Sequence, residues 1–235
     1  LKKQKIIVNL HGEDLLYDGR GFVNVFLGKL NDSFLKKSNL TVVPSQFFKT
    51  EVLHRKLCAE KIVFISPSGG INKNLFFPIN KKQQSKKICL GFVGRIDEGK
   101  GWKEYIETLY LLKEKNIEFK GIIIGNGVLK KDLDGLIEKY NLSNDIIQYH
   151  GIPHYELQKY YSQLDLLIFA SSLRESLGLV GIEAMACGVP VIGTDTGGIP
   201  SYLKNKYNGY LVPVKDVNSI VSSVITYYNL SDNEK

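Results

Sequence analysis

The chain has 235 residues and a formal charge of +7, from 31 Lys and Arg against 24 Asp and Glu; 43% of it is hydrophobic and 23% charged. This composition excludes a disordered chain, which holds too little apolar surface to offset the entropy of ordering, and the length allows one large domain or two of roughly 100–150 residues. The longest apolar runs, such as residues 164–170 (LDLLIFA), fall short of the roughly 20 residues that a membrane-spanning helix needs.

In chain order, residues 5–10 (KIIVNL) read as a strand, 21–36 as a helix and 40–43 as a second strand. Ser45 is the N-cap candidate for a helix running to about Leu57. Residues 61–65 (KIVFI) form a third predicted strand, followed by the turn-rich Ser66-Pro67-Ser68-Gly69-Gly70. After Pro78 the sequence turns polar and Lys-rich, which reads as a linker centred on 81–86.

Beyond the linker the alternation is cleaner. Strands are predicted at 88–93, 119–124, 146–149, 164–169, 189–193 and 210–212. Helices are predicted at 102–115, 129–140, 155–163, 179–187 and 217–228. Tyr105, Ile106, Leu109 and Leu112 share one helical face. Strands that are continuous apolar runs alternating with helices imply a parallel sheet covered on both faces. The expected fold class is therefore α/β: a complete Rossmann-like domain over 87–235 and the second half of another such domain over 1–80. In open parallel sheets, sites lie at the carboxyl ends of the strands, here His11-Gly12, Gly94-Arg95, Gly125-Asn126-Gly127, His150-Gly151, 171–175 and 194–198.

The chain begins at Leu1, and its single Met is Met185, so the expectation is a chain that has lost residues at its start. Only Arg20, Arg55, Arg95 and Arg174 are arginines; the Lys residues are spread along the chain, with small clusters at 2–5 and 81–87. A nucleic-acid partner, which favours a stripe of Arg and Lys with stacking aromatics, is not expected. Peripheral contact with an anionic membrane surface suits the Lys-rich first domain better. Cys58, Cys89 and Cys187 are far apart with no CxxC, which argues against a zinc site or a disulfide framework and fits a reducing cytoplasm.

Two segments carry chemistry. Gly94-Arg95-Ile96-Asp97-Glu98-Gly99-Lys100-Gly101 follows a strand and opens a helix. Gly94 and Gly101 allow close backbone approach, and Arg95 and Lys100 set two cations beside a helix N-terminus. Such a place favours an anion, a diphosphate above all. The same residues also suit an ordinary βα turn with solvated cations. The spacing is neither a P-loop nor the GxGxxG dinucleotide fingerprint.

The second segment runs from Ser171 to Gly188. A buried strand feeds a loop bearing Glu175; then come Gly178 and an apolar helix bearing Glu183. Carboxylates on an apolar segment are costly without partners. Backbone N–H groups near Gly178, Leu179 and Val180 can hold phosphate oxygens, and a carboxylate can accept both hydroxyls of a vicinal diol. A nucleotide-sugar offers two diols flanking a diphosphate. The plainer alternative is a buried helix whose Glu residues cap backbone or pair with Lys.

These residues resemble the retaining glycosyltransferases of the GT-B fold, in the large family 4 that includes bacterial capsule, lipopolysaccharide and mannosyl transferases. The resemblance rests on the Glu-x7-Glu pair (Glu175, Glu183), the Gly-Arg-x4-Lys-Gly loop, the Ala-Met-Ala-Cys-Gly-x-Pro-Val-Ile run from Ala184 to Ile192, Gly197-Gly198-Ile199-Pro200 and Asn208-Gly209, in the family's order. Upstream, His11-Gly12, Ser45, the 67–72 run, Phe76 and Pro78 resemble the family's acceptor-side domain and its exit. The resemblance implies that Arg95 and Lys100 bind the donor diphosphate and stabilise the leaving group. It implies that Gly178, Leu179 and Val180 hold the distal phosphate, Glu175 contacts the donor sugar and Glu183 the ribose. Ile152, after Gly151, would lie against the base, and His11 would approach the reacting sugar. No metal or other cofactor is expected. The implied partners are a nucleotide-diphospho-sugar donor and a glycan or lipid-linked acceptor, in a cytoplasmic enzyme that touches the inner membrane face.

The sequence departs from that pattern in lacking the family's first glycine-rich βα unit, in ending before its final crossover helix, and in carrying Ser201 where Glu is common. His150 and His154 are read as solvated or capping, His54 as a structural mid-helix residue, and Trp102 as a core anchor. Competing readings are a sugar-nucleotide epimerase of the same fold, a non-catalytic nucleotide-sugar-binding module, and a basic nucleic-acid binder.

Overall fold

The computed structural model describes residues 4–11, 15, 22–67, 70–79 and 87–230. Gly12, Arg20, Gly21, Ser68, Gly69 and the linker at 81–86, all read from the sequence above, lie outside the described residues. The chain divides into two compact units.

The first unit holds Leu1–Gly70 together with Arg174–Gly178 and Gly197–Tyr202. Its sheet has three parallel strands in the order β1 (Ile7–Asn9), β2 (Leu40–Val43), β3 (Val63–Ile65). Two helices join them, α1 (Phe22–Lys37) and α2 (Gln46–His54). Leu35 from α1 and Phe48 and Val52 from α2 are fully buried with Val43. Arg55, just past α2, grips Asp32 of α1 with bonds of 2.9 and 3.1 Å and donates to Leu15 O at 2.8 Å.

Three expectations are corrected here. Ser45 occupies the N-cap position, but its side chain does not cap α2; its hydroxyl is buried without a hydrogen-bond partner among the described residues. The third strand is shorter than predicted, because Glu60–Ile62 coil into a 3-10 turn first. His54 is not mid-helix but the exposed last residue of α2, where a basic group faces the negative helix end.

The second unit holds Ile71–Leu173, Leu179–Thr196 and Leu203–Lys235. Its strands are β4 (Ile88–Val93), β5 (Phe119–Ile124), β6 (Ile146–Tyr149), β7 (Leu166–Phe169), β8 (Val191–Thr194) and β9 (Gly209–Val212). They form one parallel sheet in the order β6-β5-β4-β7-β8-β9. Every residue of β4, β7 and β8 is buried, as expected where helices cover both faces. α3 (Trp102–Glu114) packs with α4 (Lys130–Lys139) and α7 (Val217–Tyr228), while α5 (Leu157–Tyr161) packs with α6 (Leu179–Ala186).

Periodicity placed the core correctly. Tyr105, Ile106, Leu109 and Leu112 are fully buried, and Trp102 is buried beside them. The Tyr105 hydroxyl donates to Leu90 O at 2.9 Å in the middle of β4, and burial pushes its phenol well above the ordinary range. Boundaries moved where backbone pairing begins late. The helix predicted at 155–163 is a 3-10 turn, His154–Glu156, followed by the short α5. The strand predicted from Leu164 begins at Leu166, because Asp165 first anchors to Cys89: its carboxylate accepts from Cys89 N at 2.7 Å, and its own N–H donates to Cys89 O at 2.8 Å.

Just before the linker, the chain lies along α5 and α6. Phe76 is buried, Gln158 Nε2 donates to Phe77 O at 3.0 Å, and Pro78 sits against Gly188 at the end of α6.

Candidate functional site

The strand order reverses between β4 and β7, so the loops leaving their carboxyl ends run to opposite sides and leave a crevice there. Glycines close the floor of that crevice by letting backbones touch. A methyl group on Gly125 would sit 1.8 Å from Gly94 O, one on Gly127 2.3 Å from Ile96 O, and one on Gly101 2.5 Å from Ala170 O. Gly101, at φ +84°, is the N-cap of α3. Hydrogen bonds stitch the same loops: Ile96 N to Asn126 O at 2.9 Å, Leu129 N to Ile96 O at 3.0 Å, and Ser172 N to Gly99 O at 2.8 Å. At the neighbouring strand ends, Thr194 Oγ1 donates to Ser171 O at 2.5 Å.

On this floor stand the two cations. Arg95 is 69% exposed, and its guanidinium meets Asp97 at 3.1 Å. The other oxygen of Asp97 accepts from Val128 N at 3.1 Å, tying the loop after β4 to the loop after β5. Lys100 is half-buried and directly precedes the cap of α3. Gly94, Arg95 and Lys100 therefore share one loop, which is stitched to the loop after β7.

Beyond that loop, Leu179 and Val180 open α6, where the first backbone N–H groups of a helix lack internal acceptors. Glu183, the fifth residue of α6, is 5% exposed. Both of its oxygens are engaged: His154 Nε2 lies 2.8 Å from Oε1, and the Tyr161 hydroxyl donates to Oε2 at 2.9 Å. His154 thus touches a candidate site residue, which its reading as merely solvated or capping missed, and Tyr161 was not singled out at all. The HYELQKYY run sets the two residues seven apart, but only tertiary structure brings them to Glu183. His150 instead braces the loop after β5, with Nδ1 2.9 Å from Gly125 O. Ile152, half-buried, follows Gly151 at φ +65°.

Three candidates group with the first unit: His11, Glu175 and Gly178. His11 is exposed just after β1. Glu175 is half-buried in a loop held by the Gly197-Gly198 pair. Gly198 N donates to Glu175 O at 2.7 Å, and a methyl group on Gly197 would lie 2.5 Å from that same oxygen. Tyr202 also belongs here. Its hydroxyl donates to Gly178 O at 3.1 Å, and burial, with the nearby Glu175 charge, pushes its phenol well up.

The family model for glycosyl transferases group 1 matches residues 73–235. The chain belongs to that family. A relative, the putative colanic acid biosynthesis glycosyltransferase WcaL of Escherichia coli K12, is 27% identical over 98% of this chain and 57% of its own length. The C-terminal domain of LpcC, a glycosyl transferase group 1 family protein of Francisella tularensis, aligns with a TM-score of 0.61 at 28% identity, over 70% of this chain and 94% of that one. Anabaena HepE, solved in complex with UDP, aligns at 0.77 and 19% identity, over 95% of this chain and 62% of that one. The group 1 fold here is thus of GT-B type, with parallel-sheet Rossmann-like units. The chain spans about half the length of the curated relatives it matches. Among the described residues, no helix is long and apolar enough to cross a membrane, and no three His, Cys, Asp or Glu side chains gather as metal ligands would.

Proposed function

We propose that this chain is part of a nucleotide-sugar-dependent glycosyltransferase, with residues 87–235 as the donor side and 1–80 as part of the acceptor side. The reaction moves a sugar, with retention of configuration, from a nucleotide-diphospho-sugar to a glycan or lipid-linked acceptor in cell-surface polysaccharide or lipopolysaccharide synthesis. The observation that carries this reading is the glycine-closed loop after β4, which sets Arg95 and Lys100 beside the start of α3 on the sheet edge that also leads into α6. Two cations and two helix starts suit a diphosphate. As the bond to the sugar breaks, negative charge grows on the departing diphosphate, and fixed cations stabilise it.

In this reading the first N–H groups of α6, with Gly178, take the distal phosphate. Glu183 takes the ribose, Ile152 lies against the base, Glu175 holds donor-sugar hydroxyls, and His11 approaches the reacting sugar. The cations balance the diphosphate, so the reading includes no metal or other cofactor. The setting is cytoplasmic, with Lys-rich segments of the first 80 residues touching an anionic membrane face.

The test is a thermal-shift panel of nucleosides, nucleoside diphosphates and nucleotide-sugars. A ligand present at a hundred times its Kd adds about 2.7 kcal/mol to the stability of the state that binds it. At least one nucleoside diphosphate is expected to raise the melting temperature while its parent nucleoside does little. A panel in which no diphosphate stabilises the protein refutes the reading.

A further inference from the structure

Glu183 is buried, yet it meets one side-chain donor on each oxygen rather than two on one. His154 Nε2 faces Oε1 at 2.8 Å, and the Tyr161 hydroxyl donates to Oε2 at 2.9 Å. A carboxylate offers about four lone-pair directions over its two oxygens. One donor on each oxygen fixes the plane of the group and leaves a second acceptor direction on each, which is what two adjacent hydroxyls require.

The two donors are themselves held by one ring. Phe76, 3% exposed, sets its ring edge-on to His154 at 5.2 Å and to Tyr161 at 6.0 Å. The residues after it are fixed to the same helices: Phe77 O accepts from Gln158 of α5, and Pro78 rests on Gly188 past α6. His154 needs this support. Its side chain is 63% exposed and sits in a one-turn 3-10 element, so without a neighbour its ring would sample several rotamers.

We propose that His154 is the positioning residue for Glu183 and that Phe76 orients His154, so that the segment at 76–78 sets how firmly a ligand's vicinal diol is held. The proposal rests on the assignment of Glu183 to the ribose. His154 touches no ligand in it; it acts by holding the carboxylate in the plane that accepts both hydroxyls at once.

The experiment separates the two layers. UDP, GDP and ADP are titrated against the chain by calorimetry, and the tightest binder is compared with its 2′,3′-dideoxy counterpart. The wild type is expected to prefer the ribose form about tenfold, and Glu183→Gln to lose most of that preference. His154→Leu is expected to lower the preference about fivefold while leaving affinity for the dideoxy ligand unchanged. His154→Gln, which keeps an N–H donor, restores most of it. Phe76→Leu, which fills the core but lacks the ring edge, falls between. Loss of structure alone would weaken both ligands equally and leave their ratio intact. A wild type that does not discriminate, or a Glu183→Gln that still does, overturns the ribose assignment and this proposal with it. The expected behaviour of those two, with full discrimination in His154→Leu, overturns the positioning role alone. Should His154→Leu fail to fold, Tyr161→Phe, which deletes only the hydroxyl on the other oxygen, carries the same comparison, and an unchanged ratio there counts against the proposal.

Discussion

Replacing Gly125 by Ala tests whether backbone contact between loops positions the candidate diphosphate site. Gly125 follows β5 at φ +153°, and the added methyl would meet Gly94 O at 1.8 Å and the Gly94 carbonyl carbon at 3.0 Å. Relieving the first contact to about 3.0 Å means moving one backbone or the other by about 1.2 Å, and neither atom belongs to a side chain that could swing away. Overpacking of this kind costs roughly 1–3 kcal/mol, and the sparsely populated backbone conformation adds roughly 1–3 more for a residue with a side chain. At 2–4 °C per kcal/mol for a chain of this size, the melting temperature should fall by roughly 4–24 °C.

The loop that moves carries Arg95, so diphosphate affinity should fall as well, at temperatures where the variant is still folded. Gly135→Ala is the matched control. It lies exposed inside α4, and its added methyl meets nothing within 4 Å. There the exchange removes only a helix-propensity cost of about 0.8–1.0 kcal/mol, so the melting temperature should rise by roughly 2–4 °C with ligand affinity unchanged. Thermal unfolding, and calorimetry with whichever of UDP, GDP and ADP the wild type binds tightest, suffice on both variants. A Gly125→Ala protein that melts with the wild type, or one that melts low yet binds that diphosphate normally well below its transition, refutes the reasoning.

Other perturbations follow the same logic. Arg95→Ala and Lys100→Ala should each weaken the tightest binder among UDP, GDP and ADP by roughly 1.5–3 kcal/mol, the usual size of a charge-assisted contact, with little change for its parent nucleoside; equal losses for both ligands would count against a phosphate role. Glu183→Gln should weaken both a nucleotide-sugar and its free diphosphate, whereas Glu175→Gln should weaken only the nucleotide-sugar, and calorimetry with both ligands separates this from a purely structural role. Asp216 caps α7 by accepting from Ser219 N at 3.0 Å and from the Ser219 hydroxyl at 2.6 Å. Those bonds, the side-chain one first, hold its carboxyl below the usual range. A lowered folded pKa gives stability that is present above the ordinary carboxylate value, about 3.9, and lost as pH falls through the folded one. Asp216→Ala should therefore lower the melting temperature at pH 7 and converge with the wild type in acid; a gap that does not change with pH contradicts this.

How much of this was legible in the sequence depends on the range over which each feature is decided. The strands β4, β5 and β6 and the helices α3, α4 and α7 follow from local periodicity, and they fall within a residue or so of their predicted bounds. The failures sit where a partner from elsewhere sets the boundary. Asp165 leaves the strand because Cys89, 76 residues away, takes its carboxylate. Ser45 has the right residue type for a cap, yet its hydroxyl turns inward and the cap bond is never made. The glycines at 94, 101, 125 and 127 could be suspected from their positions after strands, but the backbone each one touches could not. Glu183 was legible as a carboxylate out of place on an apolar helix, whereas its partners His154 and Tyr161 were not, since nothing in an isolated HYELQKYY run says which face α6 will present. Ligand roles for His11, Glu175 and Ile152 came from resemblance rather than from any physical necessity in their surroundings.

The attachment of residues 76–78 to the end of α6 also gives the chain a reporter of its own motion. Cys187, at that helix end, is buried, and this burial, reinforced by the Glu183 charge, pushes its thiol up to about 11 against the opposing pull of a hydrogen bond with the Phe77 backbone. At pH 7 such a thiol is almost wholly un-ionised, and the thiolate is the form that reacts. Alkylation of Cys187 therefore waits for the segment to lift and the helix end to open. Its rate measures that opening directly, with no label added and with half-buried Cys58 in the first unit as an internal standard. Any compound that steadies α6 will slow the clock, whatever its chemistry, and so can be found before its reaction is known.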